Sequence, residues 1–164
     1  MLKKEDEEGR IISLEENKAI IRRLFEAENK RNLAMLDELI APDFVDERNT
    51  PFELRGQEGY KQFVTVLFKG FPDWHETIED IIAEGDKVCV HLNATATHTG
   101  DWDFFGVTLA PTGKKITYSA VNFWRILDGK IVERKSVRDL LVFLTQLGLI
   151  APTEKGKQLF PSDV

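Results

Sequence analysis

The chain reads as an α+β domain in which helices come first and an antiparallel sheet follows, and three observations predict this. Apolar residues recur at helical spacing before Gly70, strict alternation begins near Trp74, and an Asp-Gly pair at 128 and 129 joins two long alternating runs as a hairpin. Taking the elements in order, Ser13 and Glu16 form a capping box, and Leu14, Ile21, Leu24, Phe25 and Glu28 follow at helical spacing, which predicts an amphipathic helix over 14–31. Asn32 can cap a second helix carrying Leu33, Leu36, Leu39 and Ile40, which stops before Pro42. A third, over 57–69, places Tyr60, Phe63, Val64, Leu67 and Phe68 on one face and ends at Gly70. Strands are predicted over 74–83, 87–98, 115–127 and 130–139, followed by a short helix that Gly148 terminates.

Composition bounds the function. A chain of 164 residues supports one domain with a substantial core. We place that domain at 13–149, between a charged segment, 1–12, expected to be flexible, and a tail, 150–164. Eleven Phe and three Trp supply enough aromatic volume to wall a cavity. A net charge of -6 without a basic stripe argues against nucleic acid and anionic membranes as partners. A hydrophobic small molecule or another protein chain is the expected partner. Cys89 is alone, so no intrachain disulfide forms, and no apolar run has the length of a membrane span. The N-terminus MLKKEDEEGR is too acidic for a signal or transit peptide, so the expected location is the cytoplasm.

Alternation assigns facings to the candidate site residues. In KVCVHLNATATH the set Val88, Val90, Leu92, Ala94 and Ala96 shares the inner face with His98, whereas His91 points the other way. The two histidines cannot close on one ion, and no metal or other cofactor is expected. Pairing Leu127 with Lys130 across the Asp-Gly turn predicts Trp124 opposite Glu133, Asn122 opposite Lys135 and Tyr118 opposite Asp139, all on the inner face. Phe123, Arg125, Arg134, Ser136 and Arg138 then fall outside. Asp139 opens the last helix and has two readings: an N-cap, or a carboxylate whose pKa an apolar cavity raises toward a value useful for proton transfer.

Several stretches together resemble the SnoaL-like polyketide cyclases, also called ester cyclase-like proteins. They are FPDWHETIEDIIAEGDKV (71–88), THTG (97–100), PTGK (111–114), WRILDGKIVE (124–133) and the D-x-x-x-x-L-x-Q-L-G spacing from Asp139 to Gly148. The resemblance covers about 14–149. It implies a nuclear transport factor 2-like cone, a curved antiparallel sheet closed by N-terminal helices around a deep apolar pocket, assembled as a homodimer. It also implies a cofactor-free intramolecular aldol condensation, with Asp139 matching the family's general acid/base and His98 the histidine of its HTG motif. For His98 the alternative is a histidine that holds the following turn. Tyr118, Asn122 and Trp124 become candidate substrate contacts. The same holds for Trp102, Phe104 and Phe105, in a loop, 101–110, that is longer than the family's usual one and acts as a lid or a plug. Asp101 and Asp103 read as exposed loop charges.

The chain departs from the pattern at two further places. Lys135 and Ser136 stand where many relatives carry Trp-Asp, and Glu47 where many carry His. On the expected register Lys135 either enters the pocket, to bind an acidic group or lower the carboxylate's pKa, or snorkels to the mouth. A second function class is a non-catalytic hydrophobic-ligand-binding or dimerisation module on the same fold.

Overall fold

The computed structural model describes residues 2–47, 54–104, 106–151 and 153–159. Helices α1 (Leu2–Asn29) and α2 (Leu33–Leu39) lead into strands β1 (Ile40–Glu47) and β2 (Leu54–Arg55), followed by helix α3 (Gly56–Gly70). The remainder is β3 (His75–Glu84), β4 (Lys87–Thr97), β5 (Trp102–Phe104), β6 (Val107–Leu109), β7 (Lys115–Leu127), β8 (Lys130–Arg138), α4 (Leu140–Leu147) and α5 (Glu154–Leu159). Six strands form one curved, open sheet in the order β2-β1-β8-β7-β4-β3, while β5 and β6 make a separate small hairpin. Among the described residues no helix is long and apolar enough to cross a membrane.

The concave face carries the core. Val88, Val90, Leu92, Ala94 and Ala96 all point inward from β4, as alternation predicts, and meet Ile21, Leu24 and Phe25 of α1 and Val64 and Leu67 of α3. His98 continues that inner row and is fully buried, whereas His91 is exposed and bonded to Ser119 Oγ at 3.2 Å.

Four expectations need correction. The first helix begins at Leu2, which puts Ser13 inside it rather than at its start. The second helix ends at Leu39, and the chain continues as β1, a strand the helical spacing of Leu36, Leu39 and Ile40 disguised. Pro42 fits because it lies where the β1–β8 register is irregular, between Ile40 and Val45, so its missing N–H breaks no regular ladder. β1 also runs parallel to β8, an exception in an otherwise antiparallel sheet.

The fourth correction has the largest consequence. Leu127 pairs with Lys130 and Ile126 with Ile131, as expected, but Arg125 then pairs with Glu133, leaving Val132 as a β-bulge. The extra residue shifts the register by one and exchanges the two faces of β8. Trp124 lies beside Arg134, Asn122 beside Ser136 and Ala120 beside Arg138, so these three polar residues turn inward. Lys135 turns outward, where it pairs with Glu47 at 3.0 Å and Glu133 at 3.3 Å. The departures at Glu47 and Lys135 are thus two halves of one exposed ion pair, aligned by the β1–β8 register. Asp139 follows the bulged strand to a place beside Ser119 rather than Tyr118, its backbone N–H donating to the Ser119 carbonyl at 3.1 Å.

Arg134 is buried next to its register neighbour Asp46, which is fully buried. Two parallel bonds join them, Nε to Oδ1 at 3.2 Å and Nη2 to Oδ2. Replacing Asp46 by Ala strands a buried guanidinium and is expected to cost about 3–5 kcal/mol. The double variant Asp46→Leu/Arg134→Met is expected to recover most of that loss. Urea denaturation of the three proteins checks both expectations.

Candidate active site

The helices and the concave face enclose a cavity of about 350 Å³. Its apolar wall comes from Phe63, Val64 and Leu67 on α3, Leu92 on β4, and Leu140 and Phe143 at α4. Against this wall stand Glu28, Tyr60, Glu76, Asn122, Ser136 and Arg138, with Arg134 at the deep end.

Glu28 and Glu76 meet because the end of α1 is laced to the start of β3. Asn29 donates from Nδ2 to the Glu76 carbonyl and accepts the Glu76 N–H at Oδ1, both at 2.9 Å. Arg31 takes up a left-handed backbone conformation, φ 58°, and donates to the carbonyls of Pro72 and Trp74, each at 2.7 Å. Its guanidinium also lies 3.9 Å over the Phe68 ring. These contacts bring two carboxyl groups together inside a largely apolar cavity, close enough for each to shift the other's proton affinity.

Such a pair cannot ionise twice at low cost. Burial, and then the neighbouring Glu76 charge, push Glu28 well above the carboxylate range, against the hydrogen bond from Tyr60 and the Arg134 charge. Burial raises Glu76 as well, while bonds from Trp74 and Glu28 and the charges of Arg134 and Arg31 hold it back. Both carboxyls are therefore raised, Glu28 the more strongly, so Glu28 is the one that favours the protonated form. Tyr60 Oη donates to Glu28 Oε1 at 2.5 Å and accepts from Arg134 Nη1 at 3.4 Å, and burial pushes its own pKa far up, so it stays a neutral donor. Burial opposes the charge on Arg134, but Asp46, Tyr60 and Glu28 outweigh it and its pKa rises. A hydrogen-bonded relay thus runs Asp46–Arg134–Tyr60–Glu28, and Glu76 lies beside its end, where it accepts from Trp74 Nε1 at 3.1 Å.

The residues singled out from sequence divide into two groups. Tyr118, Asn122 and Trp102 line the cavity. Ser136 Oγ donates to Asn122 Oδ1 at 2.7 Å, which fixes the amide on the wall. Asp139, His98, Trp124 and Lys135 do not line it. Asp139 is exposed, and its Oδ1 accepts the Val142 N–H at 3.1 Å, the N-cap geometry of α4. His98 stacks on Phe71, ring centres 4.9 Å apart, with Nδ1 3.1 Å from Thr112 Oγ1, and burial lowers its pKa against the Gly100 carbonyl and Asp101. Its backbone pairs with Lys114 and Gly113, so it secures the turn that opens the 101–110 segment. Trp124 lies beneath the relay, 5.2 Å from the Arg134 guanidinium. Phe105 and the Phe104 side chain lie outside the described residues. Glu28 did carry a sequence signal, since it is an acid on the apolar stripe with Ile21 and Leu24, while nothing local marks Glu76.

The loop 101–110 forms the β5–β6 hairpin, with Trp102 opposite Leu109. Gly100 lies so close to α3 that a Cβ there would fall 2.0 Å from the Lys69 carbonyl oxygen, and one at Gly70 would fall 2.5 Å from the Trp102 Cβ. Trp102 packs edge-on against Phe71 and Phe143 at 5.2 and 5.5 Å and forms part of the wall, leaving the cavity open.

A model of the SnoaL-like polyketide cyclase family matches residues 18–147. The chain belongs to this family. It is 30% identical over 143 residues to the aklanonic acid methyl ester cyclase of Streptomyces peucetius, a match covering 84% of this chain and 94% of that protein. The corresponding cyclase of Streptomyces sp. (strain C5) is also 30% identical, with 84% of each chain covered. Among solved structures, AclR of Streptomyces galilaeus, a proposed hydroxylase, superposes with a TM-score of 0.72 at 30% identity, covering 84% of this chain and 99% of that one. IdmH of Streptomyces antibioticus, a proposed polyketide cyclase, gives 0.68 at 33%, covering 80% and 98%. The nuclear transport factor 2-like cone expected from the sequence is thus the fold of this SnoaL-like chain.

The raised carboxyl pair has a thermodynamic signature. Below the ordinary glutamate value of 4.5 both folded and unfolded chains hold these protons, and the pair's contribution is fully present. As pH rises past that value the unfolded chain releases them first, so the contribution is lost as pH climbs through the raised folded values. Glu28→Gln is expected to flatten this decline, so the stability difference between variant and parent should grow in the variant's favour between pH 4.5 and 8, measured by urea denaturation at each pH.

Proposed function

We propose that this SnoaL-like protein closes a carbon–carbon ring within a hydrophobic, aromatic polyketide-type substrate, by acid/base catalysis without a cofactor. The observation that carries the reading is the Glu28–Glu76 pair, two neighbouring carboxyl groups of raised pKa set in a largely apolar cavity, which on this reading share one proton. The ionised Glu76 removes a proton from the carbon next to a substrate carbonyl. The resulting enolate attacks a second carbonyl, and Glu28 gives its proton to the oxygen that becomes the alkoxide. Each turnover leaves the pair with one proton fewer on Glu28 and one more on Glu76, and proton transfer between the two neighbouring carboxyls restores it. Asn122 and Tyr118 orient the substrate, and the dry wall keeps water from the enolate.

Asp139 supports a second reading, because the family resemblance assigns it the acid/base role and it caps the helix that supplies Leu140 and Phe143 to the wall. The variants separate the two. With an aromatic polyketide offered both as the free acid and as its methyl ester, such as aklanonic acid and the methyl ester in the names of the curated relatives, Glu28→Gln and Glu76→Gln are expected to reduce kcat on whichever form the parent turns over at least a hundredfold, within the range of general acid/base contributions. Asp139→Asn retains the cap and is expected to keep kcat within about threefold, since Asn caps about as well as Asp. Turnover abolished in Asp139→Asn and kept in the glutamate variants would transfer the role to Asp139. Binding without turnover in the parent protein would make the chain a ligand-binding module.

The protein also acts, on this proposal, as a cytoplasmic homodimer. Support comes from the convex face, where Ile82, Phe123 and Val137 are 60, 46 and 66% exposed and, with Cys89 and Val121, form one apolar patch across β3, β4, β7 and β8. Phe123→Asp is expected to shift the sedimentation coefficient from dimer to monomer.

A further inference from the structure

The bulge at Val132 places three polar side chains in a row down the inside of β8, and each has a different fate. Arg134 is matched by Asp46, and Ser136 by Asn122. Arg138 lines the cavity and has neither a hydrogen-bond nor an ion-pair partner among the described residues. It is half-buried, and it sits one register step beyond Ser136, opposite Ala120. The other charges facing the cavity are accounted for: Arg134 by Asp46, Glu28 and Glu76 by each other, and Asp103 by Thr108 and by Lys69 at 3.8 Å.

We propose that Arg138 is a specificity residue that receives a carboxylate of the substrate, so that this chain acts on a free aromatic acid rather than on its neutral ester. The inference rests on the reading that the cavity is the substrate site, and it adds the charge of the molecule that enters. A guanidinium against low-dielectric walls attracts an anion more strongly than one in water, and its planar fork matches a carboxylate with two parallel hydrogen bonds. Arg134 and Arg138 are four residues apart on one strand face, about 13 Å at the usual strand rise. A substrate anchored at Arg138 therefore extends its ring system along β8 toward the carboxyl pair, past the Ser136–Asn122 bond.

The probes are 2-naphthoate and methyl 2-naphthoate, which share a ring system and differ in charge, titrated calorimetrically into the full chain. The parent protein is expected to bind the acid at least tenfold more tightly than the ester, with the advantage shrinking as salt rises. Arg138→Gln is expected to bring the acid down to the ester's affinity, and Arg138→Lys to keep part of the preference. An acid affinity unchanged in Arg138→Gln, or an ester bound as tightly as the acid by the parent, would overturn the assignment of Arg138 while leaving the cavity as the binding site. The cavity itself is tested separately with Ala120→Phe, or Ser136→Leu should the first not fold. Probe affinities unaffected by the filled cavity, or no binding of either probe to the parent, would overturn the site and the inference together. Loss of both probes in the filled variant, with acid preference lost only in Arg138→Gln, supports it.

Discussion

A guanidinium deep in an apolar cone is tolerable only if its charge is met at close range, and the pairing of Arg134 with Asp46 meets it. The pair fixes more than its own two residues. It aligns β1 with β8 in parallel, it requires the β8 bulge that turns Arg134 inward, and it presents the far side of the guanidinium to Tyr60. Tyr60 in turn directs its hydroxyl at Glu28, which is what allows one carboxyl group of the cavity to lie buried against another. Without the cation at the back of this chain, two glutamates and a tyrosine would face hydrocarbon with no charge to offset their desolvation.

The same arrangement sets two carboxyl groups of raised pKa side by side in one cavity. Two carboxyls of the same residue type are raised to different degrees by environment alone. Glu28 is nearly enclosed, whereas Glu76 is partly open and accepts a hydrogen bond from Trp74. On the proposed function such a site relies on the substrate to supply its own electron sink, which suits molecules with conjugated carbonyls. The relatives named for ester cyclisation and the structural neighbour proposed as a hydroxylase share the scaffold, and the scaffold does not dictate the reaction.

Much of the architecture was legible in local patterns. The β4 face, the inward His98, the inner row of β7 and the Gly148 stop are all consequences of period and turn chemistry, and the structure follows them. The strand β8 was not, because a bulge is a single unpaired residue with no compositional mark, yet it inverts every facing beyond it. That one residue moved Arg134, Ser136 and Arg138 into the cavity and Lys135 out of it. Glu28 was visible as an acid in an apolar stripe, but its partner lies on another element 48 residues later in the chain, and only the Asn29 and Arg31 contacts bring the two together. Long-range pairing of that kind leaves no periodicity to read.

The hairpin at the cavity rim is fastened most closely at its base. Gly70, Gly100, His98 and Lys114 lock its root through backbone bonds and contacts too close for any larger residue, while the turn at Gly106 is unhindered. The segment is therefore built as a replaceable cassette, whose turn can be lengthened, shortened or rewritten without disturbing the carboxyl pair on the cavity floor below.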